Sequence, residues 1–176
     1  MYTIIGLGNP GAEYVGTRHN TGKMIARRLA ESLDIGKKVR FIESEQFMNN
    51  SGPAVAKAMA GKKAFDKLIV IHDDLDLPLG TYKLSFNKGP GGHRGVGSII
   101  KALKTEGFLR FRVGISPTTP SGKLRKPLGE DKVLKFILGQ FKKEDISMLK
   151  KLSKRIGASI LILVERGREV AMSQAK

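Results

Sequence analysis

Four consecutive apolar residues, Leu68-Ile69-Val70-Ile71, end abruptly in His72-Asp73-Asp74-Leu75-Asp76-Leu77-Pro78, and no other stretch restricts the fold so tightly. A strand with one face in water alternates apolar and polar side chains. A run without alternation, rich in β-branched residues, is buried on both faces and sits in the middle of a sheet covered by helices on either side. The abrupt change to polar residues marks the carboxyl end of that strand, which in open α/β sheets borders the ligand crevice.

The rest of the chain fits this frame. Strand patterns are expected over residues 3–7, 39–42, 81–86 and 108–115. They alternate with helical patterns over 20–33, 54–60, 96–103, 131–138 and 143–165. Met24, Ile25, Leu29 and Leu33 share one face of the first helix. Asn20 is placed to cap it, and Ser51 to cap the second, with Pro53 in its first turn. Residues 116–129, rich in Pro, Gly, Ser and Lys, read as a mobile surface loop. The tail after Gly167 is expected to fray. The fold class is therefore α/β: a single domain over residues 1–176, with a mixed, twisted β-sheet flanked by helices.

Charge narrows the function. Lys and Arg number 32 against 16 Asp and Glu, a net charge of +16 with pI near 10.2. The excess is uneven, because residues 101–176 carry +11 of it. Such a surface suits a polyanion, of which nucleic acid is the commonest. Zero cysteines exclude disulfides and thiol chemistry, and His19, His72 and His93 lack the spacing of a zinc site, so no metal is expected. The longest apolar run, Ile160-Leu161-Ile162-Leu163-Val164, is too short to span a bilayer, which points to a cytoplasmic protein with no membrane partner.

The N-terminal strand leads into Gly6-Leu7-Gly8-Asn9-Pro10-Gly11, whose Gly-x-Gly-x-x-Gly spacing matches a dinucleotide-binding loop. The following residues carry Glu13 and Gly16 where that loop needs a prompt helix, and the helical pattern begins only near Asn20. A glycine loop that delays its helix can instead aim Asn9 and His19 above the strand ends. Asp73, at the end of the central strand, is suited to accept the Nδ1–H of His19 and leave Nε2 free to take a proton from water. Asn9, Asn49 and Asn50 can donate amide hydrogens to a carbonyl or its developing oxyanion. With no Gly-x-Ser-x-Gly elbow, direct attack by water is the expected hydrolytic route. His93 and Arg94, in Gly91-Gly92-His93-Arg94-Gly95 at a helix start, offer an anion-binding turn. Lys83, Lys88, Arg94, Arg110 and Arg112 are expected to form a basic rim, with Arg110 and Arg112 on one strand face.

These motifs together, with Tyr14, Thr17-Arg18-His19-Asn20-x-Gly22, Phe47-Met48-Asn49-x-Ser51-Gly52, Arg112-Val113-Gly114-Ile115 and Phe136-Ile137-Leu138-Gly139-x-Phe141, resemble the bacterial-type peptidyl-tRNA hydrolases over about residues 1–141. The resemblance implies a monomeric, cofactor-free esterase that cleaves peptide from the 3′ ribose of peptidyl-tRNA. It implies His19 as the base, Asp73 as its orienting partner, and Asn9 and Asn49 as groups that position the ester. Tyr14 and His93 would line the crevice, and Arg112 would meet the tRNA 5′ phosphate. Three departures from the family pattern stand out. Arg94 occupies a position usually held by Asn, Ser85 replaces a basic residue and leaves Lys83 or Lys88 to supply that charge, and the interval before Phe47 is shorter, so the sheet is expected to be one strand smaller. A non-catalytic RNA-binding homologue and a dinucleotide-dependent oxidoreductase are the competing readings.

Overall fold

The computed structural model describes residues 1–33, 36–61 and 65–175. The apolar run at Leu68 opens β3 (Leu68–Pro78), the central strand of a five-stranded sheet. Its neighbours are β1 (Tyr2–Gly6) and β5 (Leu109–Ser116), with β2 (Val39–Ile42) and β4 (Tyr82–Phe86) at the edges, in the order β2-β1-β3-β5-β4. The pairings β1–β2, β1–β3 and β3–β5 are parallel and β4–β5 is antiparallel, so the sheet is mixed as expected.

Alternation along the strands feeds two cores. Ile4, Ile69, Ile71, Leu109 and Phe111 face α1 (Thr21–Ser32) and α5 (Lys143–Arg166), where they meet Ile25, Leu29, Ile156 and Ile160. Ile5, Leu68, Val70 and Phe108 face α2 (Ser51–Ala58) and α3 (Arg94–Leu103), against Val55, Val96 and Ile99. Full burial of each such side chain contributes roughly 1.5–3 kcal/mol, which explains why β3 tolerates no polar residue before His72.

Two glycines set the distance between sheet and helix. A Cβ at Gly6 would lie 2.2 Å from the Gly22 carbonyl oxygen, and one at Gly22 would lie 2.1 Å from that of Ile71. The start of α1 therefore rests directly on β1 and β3, and His19, three residues earlier, comes over the end of β3. The first glycine of the loop thus serves this docking. After Gly11 the chain makes two short 3-10 turns, Ala12–Tyr14 and Arg18–Asn20, before α1 begins at Thr21.

The structure corrects several local expectations. Asn20 precedes α1 without capping it, because its side chain is bonded elsewhere. Ser51 lies inside α2 and donates its hydroxyl to the Met48 carbonyl at 2.9 Å. The tail after Gly167 forms a helix, α6 (Arg168–Gln174), which buries Ala171 and stacks Arg168 at 3.9 Å over the Phe86 ring. Residues 117–129 hold no helix or named strand, only a bridge between Thr118 and Leu124, and lead into α4 (Glu130–Ile137).

Candidate active site

β1 pairs with β3 only as far as Gly6 opposite Ile71, whereas β3 continues to Pro78 along β5. The residues just past that point, His72 and Asp73, emerge at the floor of a crevice of about 820 Å³. Both are almost fully buried. Apolar side chains, among them Phe47, Leu128, Leu134 and Leu138, form the walls, and the polar groups converge below.

The Asp73 carboxylate holds two imidazoles. His19 Nδ1 lies 2.9 and 3.1 Å from its oxygens, and His93 Nε2 lies 3.0 Å from Oδ1. The expected His19–Asp73 pair is present, and a second histidine shares it. Burial alone would raise the Asp73 carboxyl, but the two imidazoles outweigh it and hold the group well below the usual carboxylate range. Asp73 is therefore an acceptor at neutral pH, which places a hydrogen on His19 Nδ1, so that in the neutral ring the lone pair sits on Nε2. His93 Nδ1 accepts the Val96 N–H at 3.3 Å, so its Nε2 carries the hydrogen given to Asp73. Both of its ring nitrogens are engaged, and what His93 offers the crevice is its ring, 5.0 Å from that of His19. His19, Asp73 and His93 present three ligand-type atoms within 4.8 Å of one another. The two nitrogens concerned lie at hydrogen-bond distance from the shared carboxylate, the arrangement of a proton-holding network.

Asn9 is fixed on both sides. Its Oδ1 accepts the Met48 N–H at 2.8 Å, so the amide orientation is set and Nδ2 is left as the donor. The Asn20 side chain grips the Asn9 backbone, accepting its N–H at 2.8 Å and donating to its carbonyl at 2.9 Å. Asn20 is a residue that sequence reasoning misplaced, since a side chain before a helix looks the same whether it caps that helix or reaches across a loop. Arg18 is likewise visible in the sequence only as part of a motif. Its guanidinium stacks on Phe136 and Phe141, at 4.5 and 5.4 Å from the ring centres, and so ties the His19 turn to the far wall.

The remaining expected residues divide. Asn49 and Asn50 are exposed on the crevice lining, as is Arg94, whose guanidinium meets the Glu130 carboxylate at 2.6 Å. Tyr14 packs edge-on to Phe47. Lys83 and Lys88 are exposed outside the lining; Arg112 pairs with Asp74 at 2.6 Å and stands opposite Lys83 in the sheet. Arg110 is not part of a rim. It is 2% exposed and donates to the carbonyls of Gly89 and Lys88 at 2.9 and 2.6 Å, which anchors the loop that delivers His93.

A family profile described as Peptidyl-tRNA hydrolase matches residues 3–176. The chain belongs to the peptidyl-tRNA hydrolase family. It is 37% identical over 181 residues to the peptidyl-tRNA hydrolase of Persephonella marina, covering 93% of this chain and 91% of that one. Identity to the peptidyl-tRNA hydrolase of Aquifex aeolicus is 35% over 187 residues, covering 96% and 93%. The crystal structure of peptidyl-tRNA hydrolase from Acinetobacter baumannii superposes with a TM-score of 0.83 at 28% identity, over 99% of this chain and 94% of the other. The peptidyl-tRNA hydrolase match thus continues beyond residue 141, where the resemblance in sequence had faded, and takes in α5 and α6.

Proposed function

We propose that this chain hydrolyses the ester between a peptide and the 3′ ribose of tRNA, with His19 as the general base. The observation that carries the reading is the placement of His19, its Nδ1 held by an ionised, buried Asp73 and its Nε2 unpartnered on a crevice floor. In the first step His19 Nε2 takes a proton from water as the oxygen attacks the ester carbonyl carbon. The carbonyl π electrons move to oxygen, and the Asn9 amide, with Asn49 next to the Met48 that holds it, donates to that oxyanion. Collapse of the tetrahedral intermediate breaks the bond to the ribose 3′ oxygen, which recovers the proton from His19. Asp73 stabilises the imidazolium between the two transfers without itself taking the proton.

The apolar walls suit peptide side chains. Tyr14, His93 and Arg94 complete the peptide end of the site, Arg94 once it is released from Glu130. Lys83, Lys88 and Arg112 lie toward the tRNA backbone. The reading extends to a monomer that works in the cytoplasm, where peptidyl-tRNA arises. No helix among the described residues is long and apolar enough to cross a membrane. Turnover of an N-acetylaminoacyl-tRNA by wild type and His19→Ala tests the reading. The expected result is a fall in kcat of about 10²–10⁴ with tRNA binding retained; unchanged cleavage by His19→Ala would remove His19 from the chemistry.

A further inference from the structure

Behind the Asp73 carboxylate stands a third imidazole that the mechanism above does not use. His72 is 2% exposed, and its Nδ1 donates to the Asp73 backbone carbonyl at 2.8 Å. Its ring stands edge-on to His93, 4.7 Å between centres at 68°. Its Nε2 is buried without a hydrogen-bond partner. A leucine of similar volume would avoid that orphaned acceptor, so the imidazole must supply something a leucine cannot.

Strand geometry says what. Carbonyls two residues apart point to the same edge of a strand. The Ile71 carbonyl accepts the Leu7 N–H at 2.9 Å on the β1 side. The Asp73 carbonyl faces that side too, but β1 has already turned away into its glycine loop, and its last paired residue is Gly6. His72 Nδ1–H takes the place of the missing strand. It fixes the peptide plane that follows the Asp73 Cα, and with it the direction in which the carboxylate leaves the backbone. The same ring also packs edge-on against His93.

We propose that His72 is a positioning residue for the reaction, aiming Asp73 through its backbone carbonyl and buttressing His93. The inference rests on the hydrolase reading above. The Nδ1 position is the one that matters, which separates two substitutions of equal polarity. In His72→Asn the side-chain amide nitrogen can take the place of Nδ1 and still reach the Asp73 carbonyl. In His72→Gln it takes the place of Nε2 and cannot.

The experiment measures kcat and KM on N-acetylaminoacyl-tRNA for wild type, His72→Asn and His72→Gln, with thermal unfolding of each. Alongside it, the downfield imidazole N–H resonances of His19 and His93 are followed by proton NMR. Loss of aim costs kcat roughly 10- to 100-fold in His72→Gln with KM little changed, since misplacement by about 1 Å is enough for a loss of that order. His72→Asn is expected to stay within about threefold of wild type, with the hydrogen-bonded resonances kept in Asn and shifted or lost in Gln. Equal kcat in a folded His72→Gln, or equal impairment of both variants with unmoved resonances, would overturn the proposal and leave His72 a core residue. Absence of turnover by wild type would instead break the hydrolase reading, while the resonances would still report whether His72 aims Asp73.

Discussion

Polar side chains serve both the floor of the crevice and its rim, but under opposite conditions. On the floor, Asp73, His19, His93, Asn9 and Asn20 are buried or nearly so, and their hydrogen bonds form two adjacent sets, Asp73 with the two imidazoles and Asn20 with the Asn9 backbone. On the rim, Arg94–Glu130 and Lys126–Asp76 are ion pairs at 2.6 Å between exposed side chains. A pair of the second kind contributes little to stability and is weakened by salt. It can be exchanged for contacts to an incoming ligand at little cost. A buried network has no such freedom, because each group removed leaves another without a partner in a medium of low dielectric. The floor is therefore suited to hold geometry and the rim to be displaced.

The sharpest way to break this comparison is Asn20→Ala, which removes no group from the proposed chemistry. It orphans the N–H and carbonyl of Asn9, and a buried polar group left unsatisfied costs roughly 1–3 kcal/mol, so denaturant unfolding should register a loss of about 2–4 kcal/mol. With the Asn9 amide no longer held, kcat should also fall by roughly 10-fold or more. Wild-type stability and turnover in this variant would mean that the floor is not interlocked.

Acid should then act on the floor before the rim. Burial, with His93 adding to it, holds the His72 imidazole well below its usual range. The unfolded chain protonates that residue near about 6.5, so the contribution of the neutral form is complete above that pH and is lost as the pH falls below it. The slope is at most about 1.4 kcal/mol per pH unit for one proton. The depressed Asp73 carboxyl adds a second loss that starts below about 3.9, the unfolded value. Urea titrations at pH 7, 5.5 and 4 should show declining stability, and His72→Asn should flatten the first part of the decline. A flat profile in wild type from pH 7 to 5 would contradict the buried neutral imidazole.

The smallest effect belongs outside the floor. Arg112→Ala should weaken tRNA binding evenly across tRNAs and reduce the slope of log affinity against log salt by about one. An unchanged slope would place Arg112 away from the phosphates and leave its pairing with Asp74 as its role.

Much of this was legible in the residues because one physical requirement produced the pattern. The uninterrupted run Leu68–Ile71 can only be a strand buried on both faces, and the polar residues after it mark the crevice. His19 and Asp73 follow from the delayed helix and the strand end. The errors have a common cause: periodicity gives a side chain's face and not its depth or its partner. Arg110 and Arg112 do alternate with Val113 and Phe111, but Arg110 is buried under the loop it anchors while Arg112 reaches Asp74. Asn20 crosses to Asn9 instead of closing its own helix. Both ring nitrogens of His93 are taken, one by Asp73 and one by the first turn of α3. The helix after Gly167 exists because β4 and α5 offer a surface for it, which a short tail of mixed composition does not announce.

The central claim is that His19 and Asp73 act as one unit. The direct test is a cycle of His19→Ala, Asp73→Asn and the double variant, with kcat measured on the same N-acetylaminoacyl-tRNA. Groups that share one function lose it together, so the double variant should be no more than about threefold slower than His19→Ala alone. Losses that multiply across the two substitutions would show that the carboxylate and the imidazole act independently, and would contradict the account.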